Sequence, residues 1–250
     1  MKSVKILGVV VDKLTKKEAL EKIQELILLG KKSYAVTVNP EFVLTAQEDE
    51  EFRKILNGAN LKLCDGVGLI LASKFNELLG RGKDALKNTV TGIDLVEDLC
   101  HWALGKKWRV FFLGAQKGAA EKTAQILKKK YNGLLVAGFF AGDGSLGGDK
   151  ETAAALKKAG EIDILFVAYG HSKQEKWIKR NLSKVPVKFA MGVGGAFDAI
   201  SGKIKRTPKI FDRMGLSWLW RLTVSPKRAR RIFRALVVFP IKVILRRRWD

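Results

Sequence analysis

Apolar residues along this chain fall into short runs separated by helical stripes, and the alternation repeats from one end to the other. Lys5 to Val11 reads as a first strand. Thr15 and Glu18 stand at capping-box spacing, which predicts a helix running to about Gly30 with Leu20, Ile23, Ile27 and Leu28 on its buried stripe. Ser33 to Asn39 is β-branched and stopped by Pro40, the pattern of a second strand. Two short helical patterns follow. A strand from Leu61 then ends on Asp65 and breaks into Gly66 and Gly68 before the next helix.

The stretch from Gly80 to Gly92 is polar and glycine-bearing, and reads as a mobile loop with nothing to contribute to a core. Beyond it, Ile93 to Leu104 is helical, and buried strands are expected up to Gly114, over Leu134 to Phe140, over Asp163 to Gly170 and over Lys188 to Gly195, with helices between them. Strands alternating with helices predict an α/β fold: a mostly parallel, Rossmann-like sheet with helices on both faces.

The pattern changes after about residue 202. From 203 to 250 there are fifteen Lys and Arg against two acids, interleaved with Trp, Phe, Leu and Ile. More than half of the chain's formal net charge of +22 sits there. We therefore expect a catalytic α/β domain over 1–202 and a basic, amphipathic helical appendage over 203–250. The charge implies a polyanionic partner, and the apolar interleaving favours an anionic membrane surface over nucleic acid. The run around Pro240 is too short to span a bilayer. Cys64 and Cys100 are too few for a disulfide framework and lie in no zinc spacing.

Asp65 is the first candidate for chemistry, because a carboxylate at the C-terminal end of a parallel strand lies where open α/β sheets bind ligands. The alternative is that it caps the following helix. Thr37 and Asn39 end a neighbouring strand. Gly114 and Gly118 lead into a helix N-terminus, an arrangement that suits an anion, although neither the dinucleotide fingerprint nor a P-loop is present. His171 follows a strand end, and Gln174 and Glu175 fall in the first turn of the next helix.

Taken together, TVNPEFVLTA, the A-x-L-x-x-x-D-G-x-G run from Ala59 to Gly68, TGIDL, FFLGAQKGAAEKTA, GHSKQEKWI and GVGGAFDAISGKIKRTPKIFDRMGLSWLWRL resemble the WecG/TagA/CpsF glycosyltransferases, in the same order and over nearly the whole chain. The resemblance implies an inverting, metal-independent transferase with no cofactor, peripheral to the cytoplasmic face of the bacterial plasma membrane. It would move an N-acetylmannosamine-type sugar from a UDP donor to a GlcNAc-diphosphate-polyprenol, as in wall teichoic acid linkage-unit synthesis. It further implies Asp65 as general base, Arg221, Arg228 and Arg231 of the appendage at the diphosphate, and substrate contacts from Thr37, Asn39, Gly66, Gly114, Gln174 and Asp198. Self-association through core helices is also implied. The sequence departs from the family pattern at Ser172, where Pro is common, and at Thr89, where a basic residue is common and Lys83 and Lys87 stand nearby. The competing reading from another class, a basic nucleic-acid-binding protein, does not account for the aliphatic run beside Arg246.

Overall fold

A computed structural model of the 250-residue chain describes residues 1–208, 210–211, 217–224 and 229–245, the side chains of Ser217 and Arg221 excepted. The chain opens with an antiparallel hairpin, β1 (Ser3–Ile6) and β2 (Val9–Asp12). One continuous strand was expected here. Leu7 and Gly8 instead both take positive φ (45° and 79°), the backbone a two-residue primed hairpin turn needs. The signal was hidden because Leu, not Asn or Asp, occupies the first of these positions.

Helix α1 (Lys16–Leu28) starts at a complete capping box between Thr15 and Glu18. It buries Leu20, Ile23 and Ile27, while Leu28 faces solvent, contrary to the expected stripe. Then come β3 (Ser33–Val38), α2 (Pro40–Glu48), α3 (Glu50–Asn57), β4 (Leu61–Cys64), α4 (Val67–Leu78), α5 (Gly92–Lys106), β5 (Arg109–Gly114), α6 (Ala119–Lys130), β6 (Leu135–Phe140), α7 (Asp149–Ala159), β7 (Ile162–Ala168), α8 (Lys173–Asn181), β8 (Val187–Gly192) and α9 (Ala196–Ile200). The six strands β3 to β8 form one all-parallel sheet in the order β4-β3-β8-β7-β5-β6, a Rossmann-like layered arrangement. At the β4 edge the hairpin covers the exposed backbone, with the Lys62 amide donating to the buried Asp12 carboxylate at 2.8 Å.

Two hydrophobic clusters sandwich the sheet, one under α2, α3, α4 and α8 and the other under α1, α5, α6 and α9. The loop 80–92 was read as having no core residues, but Ala85, Leu86 and Val90 are buried and the Val90 amide donates to the Cys64 carbonyl at 2.7 Å.

In the C-terminal fifth, helices cover Ser217–Val224 and Ala229–Phe233, and the latter continues through a π turn (Arg234–Val238) into Phe239–Leu245. Pro240 has no amide hydrogen and its ring crowds the preceding turn, which explains why the helix widens just before it. Phe239 (1% exposed) and Val243 (3% exposed) of this tail helix belong to the first core cluster. No helix among the described residues is long and apolar enough to cross a membrane.

Candidate active site

At β5 and β7 the sheet has a switch point: β5 is followed by its outer neighbour β6, and β7 by its inner neighbour β8, so the connections leave in opposite directions. Ligands of such sheets bind at the strand C-termini beside this point. A cleft of about 500 Å³ occupies that position. Its lining includes Thr37 and Asn39 from the end of β3, Asp65 just past β4, Thr91 to Ile93 at the start of α5, Ala115 and Gln116 past β5, and Ala168 to His171 past β7. Phe42, Gln174, residues 193–196, Asp198, Ala199, the segment 204–207 and Arg231 complete it.

Seven of the residues singled out in the sequence thus share one cleft: Thr37, Asn39, Asp65, His171, Gln174, Asp198 and Arg231. Gly66 and Gly114 do not line it. The first, at φ 104°, is the N-cap of α4, so the cap position falls one residue beyond Asp65. Gly114, at φ 98°, sits where β5 and β7 converge, and a Cβ there would lie 2.9 Å from the Ala168 carbonyl carbon. Conformation and close packing account for glycine at these two positions. Arg228 and the Arg221 side chain lie outside the described residues. Lys87 lies instead in a separate pocket of about 240 Å³ beside Lys13 and Thr15, with Lys83 nearby, its carbonyl accepting from the Lys13 ammonium at 2.9 Å.

The wall formed by β8 and α8 is built from an amide and an acid. Gln174 Oε1 accepts from the Gly194 amide at 3.0 Å, and Gln174 Nε2 donates to Glu175 Oε1 at 2.7 Å. Glycine at 192 makes room, since a Cβ there would lie 2.5 Å from Gln174 Nε2 and 2.6 Å from Glu175 Oε1. The sequence carried a signal for this burial: Gln174, Trp177, Ile178 and Asn181 fall on one face of α8, and all four are buried.

His171 packs against the rings of Phe42 and Phe52, with centroids 4.7 and 5.7 Å away, and its Nε2 is 2.8 Å from Thr45 Oγ1. Burial holds it down to about 4, helped by Arg231 and Arg234 and opposed by Glu41, so the ring is neutral near pH 7. At the rim, the Arg231 guanidinium pairs with Glu41 of α2, its Nε 2.8 Å from Oε2. One turn on, Arg234 pairs with Glu48 at 2.6 Å. Among the described residues no group of three or more His, Cys, Asp and Glu side chains is placed to hold a metal ion.

Complete burial raises the Glu175 carboxyl from an ordinary 4.5 to about 7. Between those values the folded chain holds a proton that the unfolded chain has released. This group's contribution to stability therefore falls as pH rises through the window and is constant above it. His171 titrates with the opposite sign between about 4 and 6.5, so the wild-type profile mixes the two. The difference between Glu175→Gln and wild type isolates Glu175. We expect the variant to be equally stable near pH 4 and more stable by roughly 3 kcal/mol at pH 8, as measured by urea unfolding across that range. A difference that does not change with pH would refute the assignment.

The sequence model of the glycosyl transferase WecG/TagA/CpsF family matches residues 4–250. Similar proteins include one from Bacillus spizizenii strain W23, 36% identical over 203 residues (81% of this chain and 76% of the relative). A second, from Bacillus subtilis strain 168, is 31% identical over 196 residues (78% and 73%). A third, from Staphylococcus aureus strain MRSA252, is 29% identical over 242 residues (96% and 91%). Each of the three is named an N-acetylglucosaminyldiphosphoundecaprenol N-acetyl-beta-D-mannosaminyltransferase.

Proposed function

Because the chain belongs to the WecG/TagA/CpsF glycosyl transferase family, we propose that it transfers N-acetylmannosamine from a UDP donor to the GlcNAc of a diphosphate-polyprenol, in the linkage-unit step of wall teichoic acid synthesis. The observation that carries this reading is Asp65 at the C-terminal end of β4, in one cleft with Gln174, Asp198 and Arg231.

In the reaction, the Asp65 carboxylate takes the proton of the acceptor hydroxyl as its oxygen attacks the anomeric carbon. The bond from that carbon to the donor diphosphate breaks on the opposite face, inverting the centre, and UDP departs with the electron pair. Negative charge gathers on the leaving diphosphate. Arg231 offers paired N–H donors to it once Glu41 is displaced, and Arg221 and Arg228 are proposed to join it. Thr37 and Asn39 border the sugar, while Gln174 and Asp198 hold the donor.

Access to a lipid-linked acceptor places the enzyme on the inner membrane face as a peripheral protein. The tail helix supports this: Phe233, Leu236, Val237, Ile241, Ile244 and Leu245 are exposed beside its arginines. A donor screen tests the whole reading. UDP release with a short-chain GlcNAc-diphosphate lipid is expected with UDP-N-acetylmannosamine and not with UDP-glucose or UDP-N-acetylmannosaminuronic acid. Release with none of the three would overturn it.

A further inference from the structure

We infer that Glu175 is a positioning residue that fixes the side-chain amide of Gln174 in one orientation, so that Gln174 meets the donor as a hydrogen-bond donor and not as an acceptor. The inference rests on the proposed donor-binding role of Gln174.

A glutamine amide offers two acceptor lone pairs and two N–H donors, and flipping it exchanges them. Here both ends are committed. The Gly194 amide can only donate, which requires Oε1 on its side at 3.0 Å. With Oε1 held there, Nε2 faces Glu175 Oε1 at 2.7 Å, which accepts from it either as a carboxylate oxygen or as the carbonyl oxygen of the protonated acid. Either contact alone leaves the other end free to rotate away; together they specify one state, and among the described residues the second N–H of this cleft-lining side chain has no hydrogen-bond acceptor. That N–H suits a carbonyl or phosphate oxygen of a UDP-sugar.

Two further observations fit. Glu175 is 0% exposed, and burying a carboxyl costs stability that an apolar residue of the same size would not cost. Its place on α8 is thus poorly explained by packing alone. Gly192 leaves room for this pair of side chains and for no Cβ beside them.

The test uses the full-length chain and three variants. Glu175→Gln keeps an acceptor oxygen at the same reach, and is expected to retain donor KM and kcat within about threefold of wild type. Glu175→Met keeps the volume and loses the acceptor. It is expected to raise donor KM at least tenfold with a smaller change in kcat, and to weaken UDP binding by calorimetry equally. Gly192→Ala should reproduce the Met variant by pushing the pair apart, and carries the test if the Met variant does not fold. Hydrogen exchange of the Gln174 side-chain amide, assigned by its loss in Gln174→Glu, reads the orientation without any substrate: slow in wild type and Glu175→Gln, at least tenfold faster in Glu175→Met. Wild-type exchange and KM in both Glu175→Met and Gly192→Ala would overturn the inference, as would equal impairment of the Gln and Met variants. Protected exchange in a wild-type chain that turns over no UDP-sugar would instead sink the proposed function and leave the positioning intact.

Discussion

Replacing Asp65 by Asn is expected to lower sugar transfer by about 100- to 10,000-fold, the usual worth of a general base, without unfolding the protein. The substitution keeps size and shape and removes the proton acceptor. The backbone around the residue has holds other than its side chain: the Asp65 amide donates to the Val38 carbonyl at 2.7 Å, and α4 takes its N-cap from Gly66. No cap is therefore lost, which separates the catalytic reading from the helix-capping one raised by the sequence. Transfer would be followed as UDP release at saturating donor and acceptor, with thermal unfolding as the control. Turnover near wild type by a folded Asn variant would remove Asp65 from the mechanism.

The second large effect is expected at Phe239. Its ring is 1% exposed within the core cluster beneath α2, and truncation of such a side chain to Ala costs about 3–5 kcal/mol. The surface pairs Arg231–Glu41 and Arg234–Glu48 contribute at most about 1 kcal/mol each. Apolar burial therefore holds the tail helix down, and the ion pairs mainly set its orientation. Phe239→Ala should detach the tail, carry Arg231 away from the cleft and reduce turnover at least tenfold, while leaving adsorption to anionic vesicles intact.

The outward residues give the opposite result. Replacing Leu236, Ile241 and Ile244 together by Glu should abolish vesicle binding and leave transfer to a soluble short-chain acceptor unchanged. Identical behaviour of the two variants in both assays would show that docking and membrane contact are not separable. Deleting the tail outright is a poorer experiment, because it uncovers the apolar surface that Phe239 and Val243 cover.

What was legible in the sequence was local or periodic. The Thr15–Glu18 box marks a helix start by residue types three apart, and both of its hydrogen bonds form. The strand ending at Asp65 announces itself by an apolar run broken by two glycines. Pairings across long separations were not legible. Nothing in the sequence places β3 beside β8, or seats the Glu175 carboxyl on the Gln174 amide against Gly192. The N-terminal hairpin was missed for a local reason, because Leu7 stands where a primed turn usually carries Asn or Asp. The polar composition around Lys83 and Lys87 likewise conceals the buried Leu86 and Val90.

The sheet order also governs how the molecule comes into being. The first strand of the main sheet, β3, is bordered on its inner side by the last, β8, and the Ser33 hydroxyl lies 3.4 Å from the Lys188 carbonyl, 155 residues later in the chain. A nascent polypeptide synthesised only through β6 therefore carries Thr37 and Asp65 on a two-strand fragment whose inner edge is unpaired, an aggregation-prone surface in need of shielding. Closure waits for residues 187–192 to leave the ribosome, so folding is dominated by a late, long-range pairing and is slow for a protein of this size.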